Sequence, residues 1–130
     1  MEDLIQKKEM YSIAVVFALI WSGQPDLFQS YFLEEEYIKF MYPSRNSNLE
    51  IYVSGNFNGW TKSDDNWRMI YNPIEQNYQL RRLISEVRTA NRSFYEFTYR
   101  IDKTLVDADP RAKDVIHCAG YGYRYVIRWD

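Results

Sequence analysis

The indole of Trp60 closes the stretch Val53 to Trp60, VSGNFNGW, and is the side chain whose type and setting point most directly to a ligand. Asn58-Gly59 supplies residues that tolerate positive φ in a tight reversal, and Gly55 lets the backbone bend without a Cβ penalty. A turn needs no more than that. Phe57 and Trp60 are additional, and a large flat ring at the rim of a turn is a surface on which a ligand ring can stack. The acidic residues offer less. Asp64-Asp65, Asp107, Asp109 and His117 have no helical ligand spacing and match no metal or acid/base motif, so they read as solvated turn residues. A retaining glycosidase needs two carboxyls held about 5 Å apart in a cleft. The chain also has no Gly-x-Ser-x-Gly, no Cys/His dyad near in sequence and no phosphate loop. The expectation is a non-catalytic protein that needs neither cofactor nor metal.

Composition narrows the field further. At 130 residues the chain is long enough to bury a core without disulfide help. Aromatic residues make up 18%, with twelve Tyr, seven Phe and four Trp, as expected of a β-rich or ligand-stacking protein. A formal net charge of -2 provides no overall basic field for nucleic acid or an anionic membrane. Arg81, Arg82, Arg88 and Arg92 form a modest basic patch that reads, at this charge, as a solvated face. The single cysteine, Cys118, excludes an internal disulfide and fits a reducing compartment. The apolar run Tyr11 to Trp21, YSIAVVFALIW, is shorter than the roughly 20 residues that span a bilayer. Glu2, Asp3 and Glu9 offset Lys7 and Lys8, and no small-x-small cleavage site follows, so a cytoplasmic protein is expected.

The elements that must hold Trp60 follow from periodicity. Residues 1–36 read as an N-terminal helical extension. Asp3 with Gln6 marks a start and Ser22-Gly23 with Pro25 a stop, although Ile13, Val15, Val16 and Ile20 leave a buried strand open for the middle of that element. Asp26 with Gln29 marks a second start, after which Leu27, Phe28, Tyr31 and Phe32 recur at helical spacing as far as Glu34-Glu35-Glu36. From Tyr37 the period becomes two. Strands are expected at Tyr37 to Tyr42, Leu49 to Ser54, Trp67 to Asn72, Tyr78 to Leu83, Ser93 to Asp102, Thr104 to Asp107 and Tyr123 to Trp129. That number of strands, about seven, over residues 37–130 is the size of an immunoglobulin-like sandwich. In SFYEFTYRID, Tyr95, Phe97, Tyr99 and Ile101 fall on one face, with Glu96, Thr98, Arg100 and Asp102 on the other.

VSGNFNGW, FYEFTYRID and then DADP resemble, in that order, the early-set β-sandwich of family-48 carbohydrate-binding modules. That family includes the glycogen-binding domain of the AMP-activated protein kinase β subunit. Its pattern is Gly-x-Phe-Asn-x-Trp, then Tyr-x-Phe-x-x-x-Asp, then Asp-Pro, and the resemblance covers about residues 37–130. It implies that Trp60 stacks on a glucose ring of an α-1,4-glucan, with the basic Lys62 close to the sugar. It also places Thr98 where the family has a binding Lys, about Leu105 where it has a second stacking Trp, and Arg124 and Tyr125 where a terminal Asn reaches sugar hydroxyls.

One stacked face is worth roughly 2 to 3 kcal/mol at about 25 cal/mol per Å², whereas a millimolar complex needs about 4 kcal/mol. A second platform is therefore required, from Trp67 or from Tyr121, Tyr123 and Tyr125, although alternating tyrosines in a last strand also fit sheet packing. The candidate sugar-binding set is Trp60, Lys62, Asn58, Trp67 and Tyr121. Two functions follow from the sequence: a weak glucan-binding module, or a protein-interaction or assembly module that has lost glucan binding, in which Phe57 and Trp60 only hold the turn and residues 1–36 contact a partner or a second copy.

Overall fold

Alternating apolar residues between Tyr31 and Ile127 pair into two antiparallel sheets that face each other. The computed structural model describes residues 29–89 and 92–129. Its strands are β1 (Tyr31–Glu34), β2 (Tyr37–Pro43), β3 (Ile51–Gly55), β4 (Ile70–Asn72), β5 (Asn77–Leu83), β6 (Tyr95–Ile101), β7 (Thr104–Leu105), β8 (Val115–Cys118) and β9 (Gly122–Ile127). A 3₁₀ turn, Asp65–Trp67, precedes β4, and a short helix, α1 (Ile84–Val87), follows β5. One sheet has the order β1-β2-β5-β4; the other runs β3-β6-β9-β8, with β7 paired to β6. The result is a mainly β protein with the layout of a sandwich.

The core lies between the layers and is built of rings. Phe97 of β6 meets Phe40 of β2 edge to face at 4.9 Å between centroids, and touches Tyr99 and Tyr125 at 5.7 and 5.2 Å. Such pairs add about 0.5 to 1.5 kcal/mol each beyond the area they bury. Tyr99 is fully buried, so its hydroxyl needs a protein partner. It donates across the core to the carbonyl of Met41 at 2.7 Å, with the Ser30 carbonyl 3.0 Å away. The period-two reading of SFYEFTYRID is thus realised, with Tyr95, Phe97 and Tyr99 inward and Glu96 and Arg100 on the opposite face.

Two expectations need correction. The second helix was expected to continue to Glu36, but Tyr31–Glu34 is a strand, paired with β2 in the register Tyr31↔Phe40 to Glu34↔Tyr37. Residues spaced for a helix face were also spaced for a strand. Hydrogen bonding to the edge of β2, together with burial of Tyr31, decides in favour of the strand. Glu35 turns the chain in the left-handed region at φ 56°. The Tyr31 hydroxyl then accepts from the Arg128 amide at 2.8 Å and donates to Asp114 at 3.1 Å, tying β1 to the far end of the other sheet. The second correction is β8, Val115–Cys118, which lies in a stretch read as turn. Its β-branched Val115-Ile116, bounded by Asp114 and Gly120, was a short strand signal. The helical expectation for residues 1–28 lies outside the described residues.

Burial pushes the hydroxyls of Tyr31 and Tyr125 from the ordinary value of 10 up to about 12, and raises that of Tyr99 well above 10. Tyrosine is neutral when protonated, so the folded chain keeps these protons at pH values where the unfolded chain releases them. The stability they contribute is complete below about pH 10 and is lost as pH rises through 12. For a fully buried hydroxyl the slope approaches about 1.4 kcal/mol per pH unit. The urea midpoint should therefore fall steeply between about pH 10 and pH 12, and a flat profile there would contradict this account of the core.

Candidate functional site

The loop after β3 is built by Asn58 and Gly55 before it presents Trp60. The Asn58 Oδ1 accepts from the Gly55 amide at 3.0 Å, and its Nδ2 donates to the Val53 carbonyl at 3.0 Å. The Trp60 amide closes the loop on the Gly55 carbonyl at 2.9 Å. Gly55 is required by close approach: a Cβ there would stand 2.5 Å from the Glu96 carbonyl oxygen and 2.6 Å from the Phe57 ring. Phe57 points into the core, stacked near Phe40 at 6.2 Å and against Trp67 at 5.3 Å.

Trp60 leaves the loop in the left-handed region at φ 55°, an uncommon conformation for a bulky side chain. Three polar contacts hold the chain there. Arg100 donates through Nη2 to the Trp60 carbonyl at 3.3 Å and through Nε to the Thr61 carbonyl at 3.1 Å, and the Ser54 hydroxyl donates to the same Thr61 carbonyl at 3.0 Å. Ser54 and Arg100 belong to the outward face of β3 and β6, so the loop is drawn back over that face.

Arg124 of β9 completes the arrangement. Its Cζ lies 5.6 Å from the centroid of the Trp60 ring, a cation–π contact worth about 0.5 to 2 kcal/mol. Arg124 is itself buried, and its Nη1 donates to the Tyr123 carbonyl at 2.8 Å and stands 3.7 Å from Asp107 Oδ1. The Asp107 side chain is 66% exposed, so this carboxylate faces solvent while it steadies the guanidinium. Gly122, at φ 80°, leaves room for it, since a Cβ there would overlap the Asp107 carboxylate. The guanidinium thus links the Trp60 ring to the exposed carboxylate of Asp107.

The sequence candidates separate on this frame. Trp60 is half-buried, and Lys62, two residues on, is exposed. Tyr121 is 74% exposed in the turn between β8 and β9, next to Gly122 and hence to Asp107. Asn58 does not serve as a ligand-facing group, because both ends of its amide are bonded to the loop backbone. Trp67 is not a second platform. It is buried at 7% exposure between Phe57 and the Arg82 guanidinium, because the 3₁₀ turn at Asp65–Trp67 points it inward. Tyr125 is likewise in the core, its hydroxyl accepting from the Asp109 amide at 3.1 Å, and Tyr123 rests on His117 at 4.9 Å. Thr98 is fully buried and its hydroxyl donates to the Val106 carbonyl at 2.7 Å, while Leu105 is half-buried opposite Arg100.

Sequence reasoning treated Asp107 as a solvated turn residue and did not include Arg100. The available signal was alternation: Arg100 and Arg124 are the cations on the faces of their strands opposite the aromatic rows. Asp64 and Asp109 instead accept hydrogen bonds from the amides of Asn66 and Arg111 within their own turns. Among the described residues no group of three or more His, Cys, Asp or Glu could hold a metal ion, and no helix is long and apolar enough to cross a membrane. Compared with known protein families and with characterised proteins, the sequence matches none.

The two rings of the loop should differ sharply in energetic role. Phe57→Ala removes a ring packed on Phe40, Trp67 and Phe97 and should cost about 3 kcal/mol in chemical denaturation. Trp60→Ala removes mainly the Arg124 contact and should cost about 1 kcal/mol or less. A loss at Trp60 as large as that at Phe57 would make Trp60 a scaffold residue.

Proposed function

We propose that the chain is a non-catalytic α-glucan-binding module of the family-48 type, on an immunoglobulin-like, early-set sandwich, and that it binds weakly through Trp60. The supporting observation is the half-buried indole of Trp60 packed with Arg124, whose guanidinium stands beside the exposed carboxylate of Asp107. A glucose ring offers an apolar CH face and a rim of hydroxyls. The CH face would stack on the indole, while Asp107, which Arg124 holds in place, accepts from hydroxyl protons. Lys62 and Tyr121 would meet neighbouring sugar units. Stacking at roughly 2 to 3 kcal/mol with one or two hydrogen bonds at about 1 kcal/mol each reaches the millimolar range. Arg124 with Asp107 takes the place of the expected second aromatic platform.

Titration with a linear malto-oligosaccharide, followed by calorimetry or by individual indole resonances, tests this. Saturable binding near millimolar is expected. It should vanish in Trp60→Ala and weaken severalfold in Asp107→Asn, with the fold retained in both variants. No saturable response up to tens of millimolar sugar would sink the glucan proposal.

A second reading, an assembly module, draws on a different surface. Ile70 is 73% exposed on β4 and Ile74 is 89% exposed in the turn that follows, while Phe32 on the edge strand β1 is 36% exposed. The apolar run Tyr11 to Trp21, from the same chain or from a second copy, is the occupant that this reading assigns to them. Removing residues 1–28 should then change the sedimentation coefficient while the sandwich stays folded. A sedimentation profile that scales only with the mass removed would discard this reading.

A further inference from the structure

The arginines that read as one basic patch in the sequence are divided by the fold. Arg81 pairs with Glu34 at 3.1 Å and Arg82 with Glu86 at 2.9 Å, so both are neutralised on the first sheet. Arg88 and Arg92 go elsewhere. They line a cleft of about 560 Å³ at the end of the sandwich where β6 begins and β9 finishes, together with Phe94, Arg128 and Trp129. Among the described residues no carboxylate pairs with Arg88 or Arg92. Arg128 is oriented through Nε by Asp114 at 2.7 Å. Among the described residues the cleft therefore sets three guanidinium groups against one carboxylate.

Its apolar part is equally specific. The Arg88 guanidinium lies 5.1 Å above the Trp129 ring, and Trp129 in turn packs edge to face on Tyr95 at 5.6 Å. Phe94 is 46% exposed in the same cleft. Its backbone is fixed, since the Phe94 carbonyl accepts from Asn56 Nδ2 at 3.3 Å and the adjoining strand residue Glu96 donates its amide to Asn56 Oδ1 at 3.1 Å. The volume falls in the range of small-molecule sites, about 300 to 1,000 Å³. Planar guanidinium forks match the oxygens of a phosphate group, and an exposed aromatic wall matches a flat ring.

We infer that this cleft binds a small phosphorylated ring compound, of the size of a nucleoside monophosphate or a hexose phosphate. The phosphate lies between Arg88 and Arg92, and the ring lies against Phe94. The site shares no residue with the Trp60 patch, so it stands or falls independently of glucan binding.

The test uses the full chain and five probes: uridine monophosphate, uridine, a hexose phosphate, inorganic phosphate and a long single-stranded RNA. Binding is read by calorimetry and by the Trp129 indole resonance. Either ring phosphate should bind at least about tenfold more tightly than inorganic phosphate, and uridine should not bind measurably. The preferred ring phosphate identifies the source of the ring. Arg88→Gln and Arg92→Gln should each weaken binding about tenfold, close to 1.4 kcal/mol, at unchanged melting temperature, and Phe94→Ala should abolish the advantage of the ring. The inference is overturned if no probe perturbs Trp129, if uridine binds as well as its monophosphate, or if both arginine variants bind normally. It is also overturned if only a long single-stranded RNA binds, since that would make the cleft part of a polyanion surface.

Discussion

The hydroxyl of Tyr99 sits where no water reaches it, and its hydrogen bond to the Met41 carbonyl sets how the two sheets face each other. A buried tyrosine without a partner would cost about 1 to 3 kcal/mol, so β2 and β6 must stand where the bond can form. The Ser30 carbonyl, on the other side of the same hydroxyl, brings in the start of β1. Around this contact Phe40 and Phe97 meet across the two sheets, and Tyr125 packs beside Phe97 and Tyr99 within its own sheet.

The strand that carries Tyr99 also carries the Trp60 loop. Alternation along β6 sends Phe97 and Tyr99 inward and Arg100 outward, and Arg100 is the donor that holds the Trp60 and Thr61 carbonyls. Stability and site are thus two faces of one strand. Phe57 links them a second time, because the ring that pins the loop into the core belongs to the same turn that delivers Trp60 to the surface. A loop anchored in this way loses little conformational freedom when a ligand settles on it, which matters for a site with so few contacts.

Much of this architecture was legible in the sequence because period-two alternation is local. β2, β3, β5, β6 and β9 lie within a few residues of their expected spans, and the turn chemistry of VSGNFNGW held at Gly55 and Gly59, whereas the second positive φ falls on Trp60 and not on Asn58. Illegible segments were those whose local pattern was compatible with more than one structure. Tyr31 and Phe32 fit a helix face as well as a strand, and the edge of β2 decided between them. Val115 to Cys118 was too short to stand out from the surrounding turns until β9 paired with it.

The sequence by itself determined that the chain is mainly β, that β6 has one aromatic and one polar face, and that a glycine-shaped loop bearing Phe57 and Trp60 follows β3. These properties depend on neighbours in the chain. Only the tertiary structure decided that Trp67 is core and not platform, that Asn58 is consumed by its own loop, and that Arg124 and Asp107 stand beside Trp60. It also separated Arg81 and Arg82 from Arg88 and Arg92. Each of these outcomes depends on which side chains meet across strands distant in sequence. Such meetings are set by sheet order and by the packing of one layer on the other, which a local pattern does not encode.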